Sequence, residues 1–158
     1  MANKIHPTAI IGDNVILGDN NVIGAYCVIG EMAEHRRCKE LGKVIIGSNN
    51  IITGLVTIDA GTEFFTTIGD NCYIMKHSHI GHDAIIGNDV TISCGAKIGG
   101  HCIIEDKVNI GLNAVIHQRV TIPERCMIGA SGFVGKKNIL RAGYKYAGVP
   151  VKELGHNG

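Results

Sequence analysis

Aliphatic residues recur at every sixth position through the second half of the chain. The series comprises Ile68, Ile74, Ile80, Ile86, Ile92, Ile98, Ile104, Ile110, Ile116, Ile122, Ile128 and Val134. A period of six fits neither an α-helix nor an ordinary strand that alternates between two faces. It indicates a short repeated unit that buries its apolar side only by stacking on its neighbours.

The same spacing occurs near the N-terminus, at Ile5, Ile11, Leu17, Ile23 and Ile29. Asp13-Asn14 and Asp19-Asn20 fall between these residues, and Asp and Asn tolerate the left-handed backbone of a tight corner. Each unit is therefore predicted to be a short strand followed by a corner, and three units make one triangular turn of eighteen residues. The pattern resembles the hexapeptide repeat of left-handed parallel β-helix proteins, so we predict an all-β fold of that kind.

Two segments interrupt the repeat. Residues 31–43 are charged and lack a repeat aliphatic, and residues 59–67 shift the register before Ile68. Loops on a regular scaffold often carry function, although a solvated insertion can have the same composition. We predict one domain. It consists of a β-helix over residues 1–137, with loop insertions at 31–43 and 59–67, and a short C-terminal tail at 138–158.

Composition narrows the range of partners. The net charge is +1 and the basic residues form no long run, so we expect no nucleic-acid binding. The chain opens without a secretory leader and has no apolar run that could span a bilayer, so we expect a cytoplasmic protein with no membrane partner. Four of the six cysteines, Cys27, Cys72, Cys102 and Cys126, follow a repeat aliphatic by four places. We expect them to be small buried residues in a reducing compartment.

A group of histidines lies on this scaffold. Because one turn has eighteen residues, three polar positions should stack at one corner, with further histidines beside them. The column is His82, Gly100 and Gln118, and its neighbours are His79, His101 and His117. A neutral imidazole can accept a hydroxyl or amine proton, and the adjacent carboxylate of Asp83 can hold its tautomer. The Gly100 N–H could stabilise an oxyanion, so the register favours a catalytic site over polar surface residues.

Residues 47–132 resemble the bacterial UDP-N-acetylglucosamine acyltransferases that begin lipid A synthesis. The family's His-x-x-His-Asp motif appears as His79-Ile80-Gly81-His82-Asp83, its Gly-His pair as Gly100-His101, and its His-Gln pair as His117-Gln118. Val56-Thr57-Ile58-Asp59-Ala60-Gly61-Thr62 is similar to the family's Val-Thr-Ile-His-Arg-Gly-Thr, with Asp59-Ala60 in place of His-Arg. That family also carries a C-terminal helical domain, of which the sequence predicts no counterpart.

The resemblance implies that His82 is the general base, Asp83 its orienting partner and Gly100 the oxyanion donor. It implies substrate contacts for His79, His101, His117, Gln118 and Ala130, the last of which would limit the depth of the acyl chain. It also implies a homotrimer with active sites in the clefts between prisms, and exposed aliphatic residues favour such an assembly. We predict no bound cofactor and no metal.

The expected activity is transfer of an acyl group from a thioester, on acyl carrier protein or coenzyme A, to a hydroxyl or amine of a sugar such as UDP-N-acetylglucosamine. An alternative is an acetyl-CoA-dependent sugar O- or N-acetyltransferase, because the stretch Tyr146-Ala147-Gly148-Val149-Pro150 looks like the ending of such hexapeptide transferases. The basic residues Lys136, Lys137, Arg141 and Lys145 could meet an acidic carrier protein or the CoA phosphates, or form a solvated tail.

Two interpretations from other classes stay open. The γ-type carbonic anhydrases share this fold and bind zinc through three histidines, two of them in a His-x4-His pair, and His77 and His82 have that spacing. The third ligand would fall two turns earlier, at Leu41, and catalytic zinc requires three protein ligands. Only His35 could replace it, after a rearrangement of its loop. A non-catalytic scaffold protein is the other alternative.

Overall fold

The computed structural model describes all residues, 1–158. The chain contains 22 strands and no helix, and it winds into a left-handed β-helix of about 8 turns. Three sheets form the faces of a triangular prism. The predicted all-β hexapeptide-repeat architecture is therefore confirmed.

Each face takes every third strand of the regular region. Face 1 contains β1 (Lys4–Ile5), β4 (Val22–Ala25), β7 (Ile51–Gly54), β10 (Tyr73–Ile74), β13 (Thr91–Ile92), β16 (Asn109–Ile110), β19 (Met127–Ile128), β21 (Tyr144–Gly148) and β22 (Val151–His156). Face 2 contains β2 (Ile10–Ile11), β5 (Val28–Glu31), β8 (Thr57–Asp59), β11 (His79–Ile80), β14 (Lys97–Ile98), β17 (Val115–Ile116) and β20 (Phe133–Val134). Face 3 contains β3 (Val15–Leu17), β6 (Val44–Ile46), β9 (Thr66–Ile68), β12 (Ile85–Ile86), β15 (Ile103–Ile104) and β18 (Thr121–Ile122).

The repeat aliphatics form columns inside the prism. Ile80 pairs with Ile98 and Ile86 with Ile104, which is the predicted spacing of one turn. These isoleucines are buried, and burial of such a side chain stabilises the fold by about 1.5–3 kcal/mol. The six-residue pattern thus exists because each coil buries one β-branched side chain per face against the coil above and below it.

Polar residues turn most of the corners, and of the two Asp-Asn pairs Asn20 is left-handed as predicted, whereas Asp13-Asn14 turns without a positive φ. Asn20, Asn49 and Asn71 have φ near +60°, and Asp83 and His101 adopt the same left-handed conformation. Asn is among the few non-glycine residues that tolerate this region well. The corners can therefore present functional side chains, including histidines, from a fixed backbone.

The four cysteines of the repeat slot, Cys27, Cys72, Cys102 and Cys126, are buried, as predicted. All six cysteines are free thiols. Burial raises the pKa of the Cys72 thiol to about 11, so this side chain stays protonated and acts as a small apolar residue.

Both interruptions of the repeat leave the prism at the same corner. The first loop, residues 32–43, connects β5 on face 2 to β6 on face 3, and the second, residues 60–65, connects β8 to β9 in the same way. Both are shorter than the sequence pattern predicts because Glu31, Asp59 and Thr66 already belong to strands. We refer to the corner between faces 2 and 3 as the loop corner.

The last residues add to face 1. β21 pairs with β19 in parallel, and β22 folds back on β21 in antiparallel fashion. Tyr146 and Val151 are buried against the end of the core. None of the chain forms a helix long and apolar enough to cross a membrane.

Candidate active site at the loop corner

The polar column predicted from the eighteen-residue turn lies at the loop corner. The N–H of His101 donates to the carbonyl oxygen of His82 at 2.9 Å, and the N–H of Arg119 donates to that of Gly100 at 2.9 Å. These bonds join successive coils at equivalent positions. His82, Gly100 and Gln118 therefore stack one above another, held by backbone hydrogen bonds and not by their own side chains.

His82 is held by the residue that follows it. Its Nδ1 lies 2.8 Å from Oδ2 of Asp83, and its side chain is only 13% exposed. Because an ionised carboxylate can only accept, Nδ1 carries the proton and Nε2 is left as a proton acceptor. A Cβ atom placed on Gly100 would lie 2.6 Å from Nε2, so the ring points directly at the glycine of the next coil.

Asp83 is a fully buried carboxylate surrounded by donors. Its Oδ1 accepts the backbone N–H groups of Thr62 at 2.9 Å, Glu63 at 3.2 Å and Phe64 at 2.8 Å. Its Oδ2 accepts the Thr62 hydroxyl at 2.6 Å as well as His82. Burial alone would raise the pKa of Asp83, but the hydrogen bonds from Thr62, His82 and Phe64 outweigh it and lower the pKa to about 2. The group is therefore ionised at neutral pH.

Two further imidazoles pack against His82. The His101 ring lies 5.1 Å from it and the His35 ring, from the first loop, 5.6 Å, both edge to face. The Nε2 atom of His101 is 3.5 Å from Oδ2 of Asp83. Burial lowers the pKa of His101, and the nearby Asp83 only partly opposes this. His101 is thus a neutral ring at pH 7, able to donate or accept a hydrogen bond.

The sequence assigned no role at this site to Thr62 and Phe64, and it named His35 only as a possible zinc ligand. The ring of Phe64 lies 6.4 Å from that of His101. A signal was available, because counting strands by face places both interruptions of the repeat at the corner that later carries His82. The side-chain contacts within irregular loops have no comparable periodic signal.

The N–H of Gly100 has no hydrogen-bond acceptor in the protein. It lies at the same corner as the Nε2 acceptor of His82. A free backbone donor next to a proton acceptor is the arrangement that can bind a reacting carbonyl while its oxygen gains negative charge.

His79 forms a second, looser pair on face 2. Its Nδ1 lies 2.7 Å from the hydroxyl of Thr57, and its Nε2 lies 3.7 Å from Oδ2 of Asp59. Burial raises the pKa of Asp59, and His79 opposes the rise. These three residues line a cavity of about 330 Å³ together with Val28, Glu31, Met32 and Glu34.

His117 and Ala130 lie apart from the His82 cluster. The His117 ring packs against Phe133 at 6.4 Å, and its Nδ1 lies 3.2 Å from the carbonyl oxygen of Gln118. Ala130 follows β19 on face 1 and precedes β20 on face 2, so it lies at a different corner of the prism. Within one protomer His101 packs against His82, Gln118 lies in the same stacked column and His79 precedes the same corner, whereas Ala130 lies elsewhere.

A cleft of about 730 Å³ lies between the two loops. Its walls are Glu34, His35, Arg36, Arg37, Cys38, Lys39 and Glu40 of the first loop, with Thr62 and Glu63 of the second. His35 connects this cleft to His82, because the two rings pack against each other. The cleft is large enough for a small-molecule substrate.

The same cluster contains groups that metal ions use as ligands. One ligand atom each from His82, Asp83 and His101 lies within 4.8 Å of the others. Both oxygens of Asp83 already accept hydrogen bonds, and Nδ1 of His82 is one of the donors. His77 lies at the corner between faces 1 and 2, so the His77 and His82 pair does not converge within a protomer. That the reaction requires no metal stays a prediction.

The fold and the site define a left-handed β-helix with a buried histidine–carboxylate pair at one corner. Comparison with known proteins agrees: the family described as bacterial transferase hexapeptide (six repeats) matches residues 2–31 and 65–100. Over these two segments the chain is similar to the hexapeptide-repeat transferases that this family model describes.

Three similar proteins are UDP-N-acetylglucosamine acyltransferases. The chain is 52% identical over 50 residues, 30% of its length, to an acyl-(acyl-carrier-protein)–UDP-N-acetylglucosamine O-acyltransferase of Campylobacter lari. Its alignment with the UDP-N-acetylglucosamine acyltransferase structure of Bacteroides fragilis covers 98% of this chain and 61% of that protein, with a TM-score of 0.94 and 31% identity. The similarity to the UDP-N-acetylglucosamine O-acyltransferase structure of Moraxella catarrhalis covers 97% of this chain and 74% of that protein, with a TM-score of 0.79 and 25% identity.

The chain is similar to only part of these proteins. The matched segment spans 19% of the Campylobacter enzyme, and the chain spans less than two thirds of the Bacteroides structure. The similarity shows the β-helix and its repeats.

Proposed function

We propose that this protein is an acyltransferase that moves an acyl group from acyl carrier protein to a hydroxyl of a nucleotide sugar such as UDP-N-acetylglucosamine. The observation that carries the proposal is the His82–Asp83 pair, whose free Nε2 points at Gly100 beside an unused N–H donor. The substrate class comes from the similar proteins, which are UDP-N-acetylglucosamine acyltransferases. Lipid A synthesis and a cytoplasmic location belong to the same proposal.

The geometry supports a single-base mechanism. Nε2 of His82 accepts the proton of the sugar hydroxyl while the hydroxyl oxygen forms a bond to the thioester carbonyl carbon. The carbonyl oxygen becomes an oxyanion beside the Gly100 N–H. The C–S bond then breaks, and His82 returns the proton to the leaving sulfur. General-base catalysis contributes about 10²–10⁴-fold in rate, and one oxyanion donor about 10²–10³-fold.

Asp83 takes part in each step without receiving the proton. Its pKa of about 2 keeps it ionised, so it holds Nδ1–H and stabilises the imidazolium that forms on His82. His79, His101, His117 and Gln118 supply contacts to the acceptor in this proposal. Their imidazole and amide groups suit the hydroxyls of a sugar.

A homotrimer accounts for Ala130. Since this residue lies at another corner of the prism, it can contact an acyl chain bound at His82 only in a cleft between two protomers. Outward-facing Ile85, Ile103 and Val115 are 46%, 39% and 42% exposed, and a symmetric assembly would cover such apolar surface. Light scattering that gave a stable monomer would contradict this part.

Mass spectrometry of reactions with paired donors tests the function. Acyl carrier protein and coenzyme A thioesters of equal chain length are each offered with UDP-N-acetylglucosamine, using wild type and His82→Ala. We expect an ester product from the carrier-protein thioester and its loss in the variant.

Other outcomes identify the alternatives. Transfer from acetyl-CoA alone would indicate a sugar acetyltransferase, and an amide product would indicate N-acylation. Zinc-dependent hydration of carbon dioxide without acyl transfer would indicate an anhydrase. A trimer inactive with every donor and acceptor would indicate a scaffold protein.

A further inference from the structure

The second loop is folded around one carboxylate. Three consecutive backbone N–H groups, from Thr62, Glu63 and Phe64, point at Oδ1 of Asp83, and the Asp83 N–H donates to the hydroxyl of Thr66 at 2.9 Å. Thr66 is fully buried. These bonds fix the plane of the carboxylate relative to the loop, so that Oδ2 is the oxygen left for side chains.

Two imidazoles face that remaining oxygen. His82 Nδ1 lies 2.8 Å from Oδ2 and His101 Nε2 lies 3.5 Å from it. A small rotation of the carboxylate would bring Oδ2 closer to His101 and take it away from His82. The hydroxyl of Thr62 donates to the same oxygen at 2.6 Å, and this third donor opposes the turn.

We infer that Thr62 is a positioning residue, whose hydroxyl holds Asp83 on His82 in preference to His101 and so keeps His82 in the tautomer with a free Nε2. The inference rests on the proposed function, in which His82 is the base. The position of loop 60–65 and the orientation of His82 are then coupled, because both form hydrogen bonds to the Asp83 carboxylate.

The hydrogen-bond chemistry gives this role a measurable signature. Among the groups that lower the pKa of Asp83, the Thr62 hydroxyl has the largest effect. The other ionisable groups that face the pair are His35 and His101, with Glu63, Arg119 and Asp59 farther out. None of them changes when the hydroxyl is removed.

Matched threonine variants test the inference. Thr62→Val and Thr62→Ala remove the donor, Thr62→Ser keeps it, and Thr121→Val removes an exposed hydroxyl from β18, away from the site. We expect Val and Ala to raise the pKa of Asp83 from about 2 toward its ordinary value, measured by ¹³C NMR of the carboxyl. The ¹⁵N spectrum of His82 should show loss of the single Nδ1–H tautomer. Ser and the Thr121 control should behave as wild type.

Kinetics give a second readout. We expect kcat to fall about tenfold in Thr62→Val with KM unchanged, and Thr62→Ser to restore it. An unchanged Asp83 pKa in both hydroxyl-free variants would overturn the inference. An equal loss of kcat in Ser and Val would also overturn it. If wild type transferred no acyl group, the proposed function would fail, while the two NMR measurements would still decide the role of Thr62.

Discussion

Two aspartate–histidine pairs lie close together in this protein, and they differ in how the carboxylate is satisfied. Asp83 accepts five hydrogen bonds from Thr62, Glu63, Phe64 and His82, and its pKa is lowered to about 2. Asp59 accepts one long bond from the Glu34 N–H, at 3.4 Å, and its pKa is raised. Both are buried, so the number of donors, and not burial, decides which aspartate can support an imidazolium.

The largest difference between the pairs should appear in catalysis. His82→Ala should lower kcat about 10²-fold or more, because it removes the proton acceptor, whereas His79→Ala should mainly raise the KM for the acceptor. Steady-state kinetics of both variants with the same substrates measure this difference. The comparison breaks if His82→Ala keeps nearly all of its kcat.

Acid stability should separate the two carboxylates. Because the folded-state pKa of Asp83 is below its ordinary value, its contribution is present above about pH 4 and is lost as pH falls through about 2. Asp83→Asn should therefore lower the free energy of unfolding by about 2 kcal/mol at pH 7. The variant should also no longer lose this part of its stability as the pH falls from about 4 to about 2.

Asp59 should show the opposite sign. Its raised pKa means that its ionised form is penalised in the folded state, so stability falls as pH rises through that pKa. Asp59→Asn should thus leave the protein no less stable at pH 7. Urea unfolding of Asp83→Asn and Asp59→Asn at pH 7 and at low pH measures the two contributions to the free energy of unfolding. Equal losses of stability in the two variants at pH 7 would contradict the difference between the two carboxylates.

Gly100→Ala should disturb only the first pair. Its new Cβ would lie 2.6 Å from Nε2 of His82, so the ring must move and kcat should fall at least about tenfold. Thermal stability should fall with it. In the double variant with His82→Ala the clash is gone, so stability should recover while activity does not. A double variant as unstable as Gly100→Ala would show that the clash lies elsewhere.

The smallest expected effect is at Ala130, far from both pairs within a protomer. Removing its methyl group should let the enzyme accept a slightly longer acyl chain, and one methylene is worth about 0.8 kcal/mol, or about fourfold in preference. Competition between thioesters that differ by one or two carbons measures this. Identical preference in Ala130→Gly and wild type would remove Ala130 from the acyl site.

The regular part of this molecule was predictable because its physics repeats. The column His82, Gly100 and Gln118 follows from the same arithmetic as Ile80, Ile98 and Ile116, since every coil obeys one spacing. The same spacing also predicts buried cysteines in the slot that they occupy.

The loop contacts were not predictable in this way. Thr62 donates to Asp83 and His35 packs on His82 because of how two irregular segments close over the corner, and these contacts join residues 21 and 47 positions apart through no periodic pattern. The effect of Asp59 in place of histidine was equally hidden, because its pKa depends on donors that the sequence does not locate.

The strand pairing also shows how many extra residues the loop corner accommodates between successive coils. Ile80 pairs with a residue 18 positions later, Ile46 with one 22 positions later and Ile29 with one 29 positions later, yet all three pairs are equivalent in the core. Insertions at this corner therefore leave the interior unchanged while altering what surrounds His82. In evolutionary terms the corner is a place where substrate preference can diversify by gain and loss of residues, at little cost to folding.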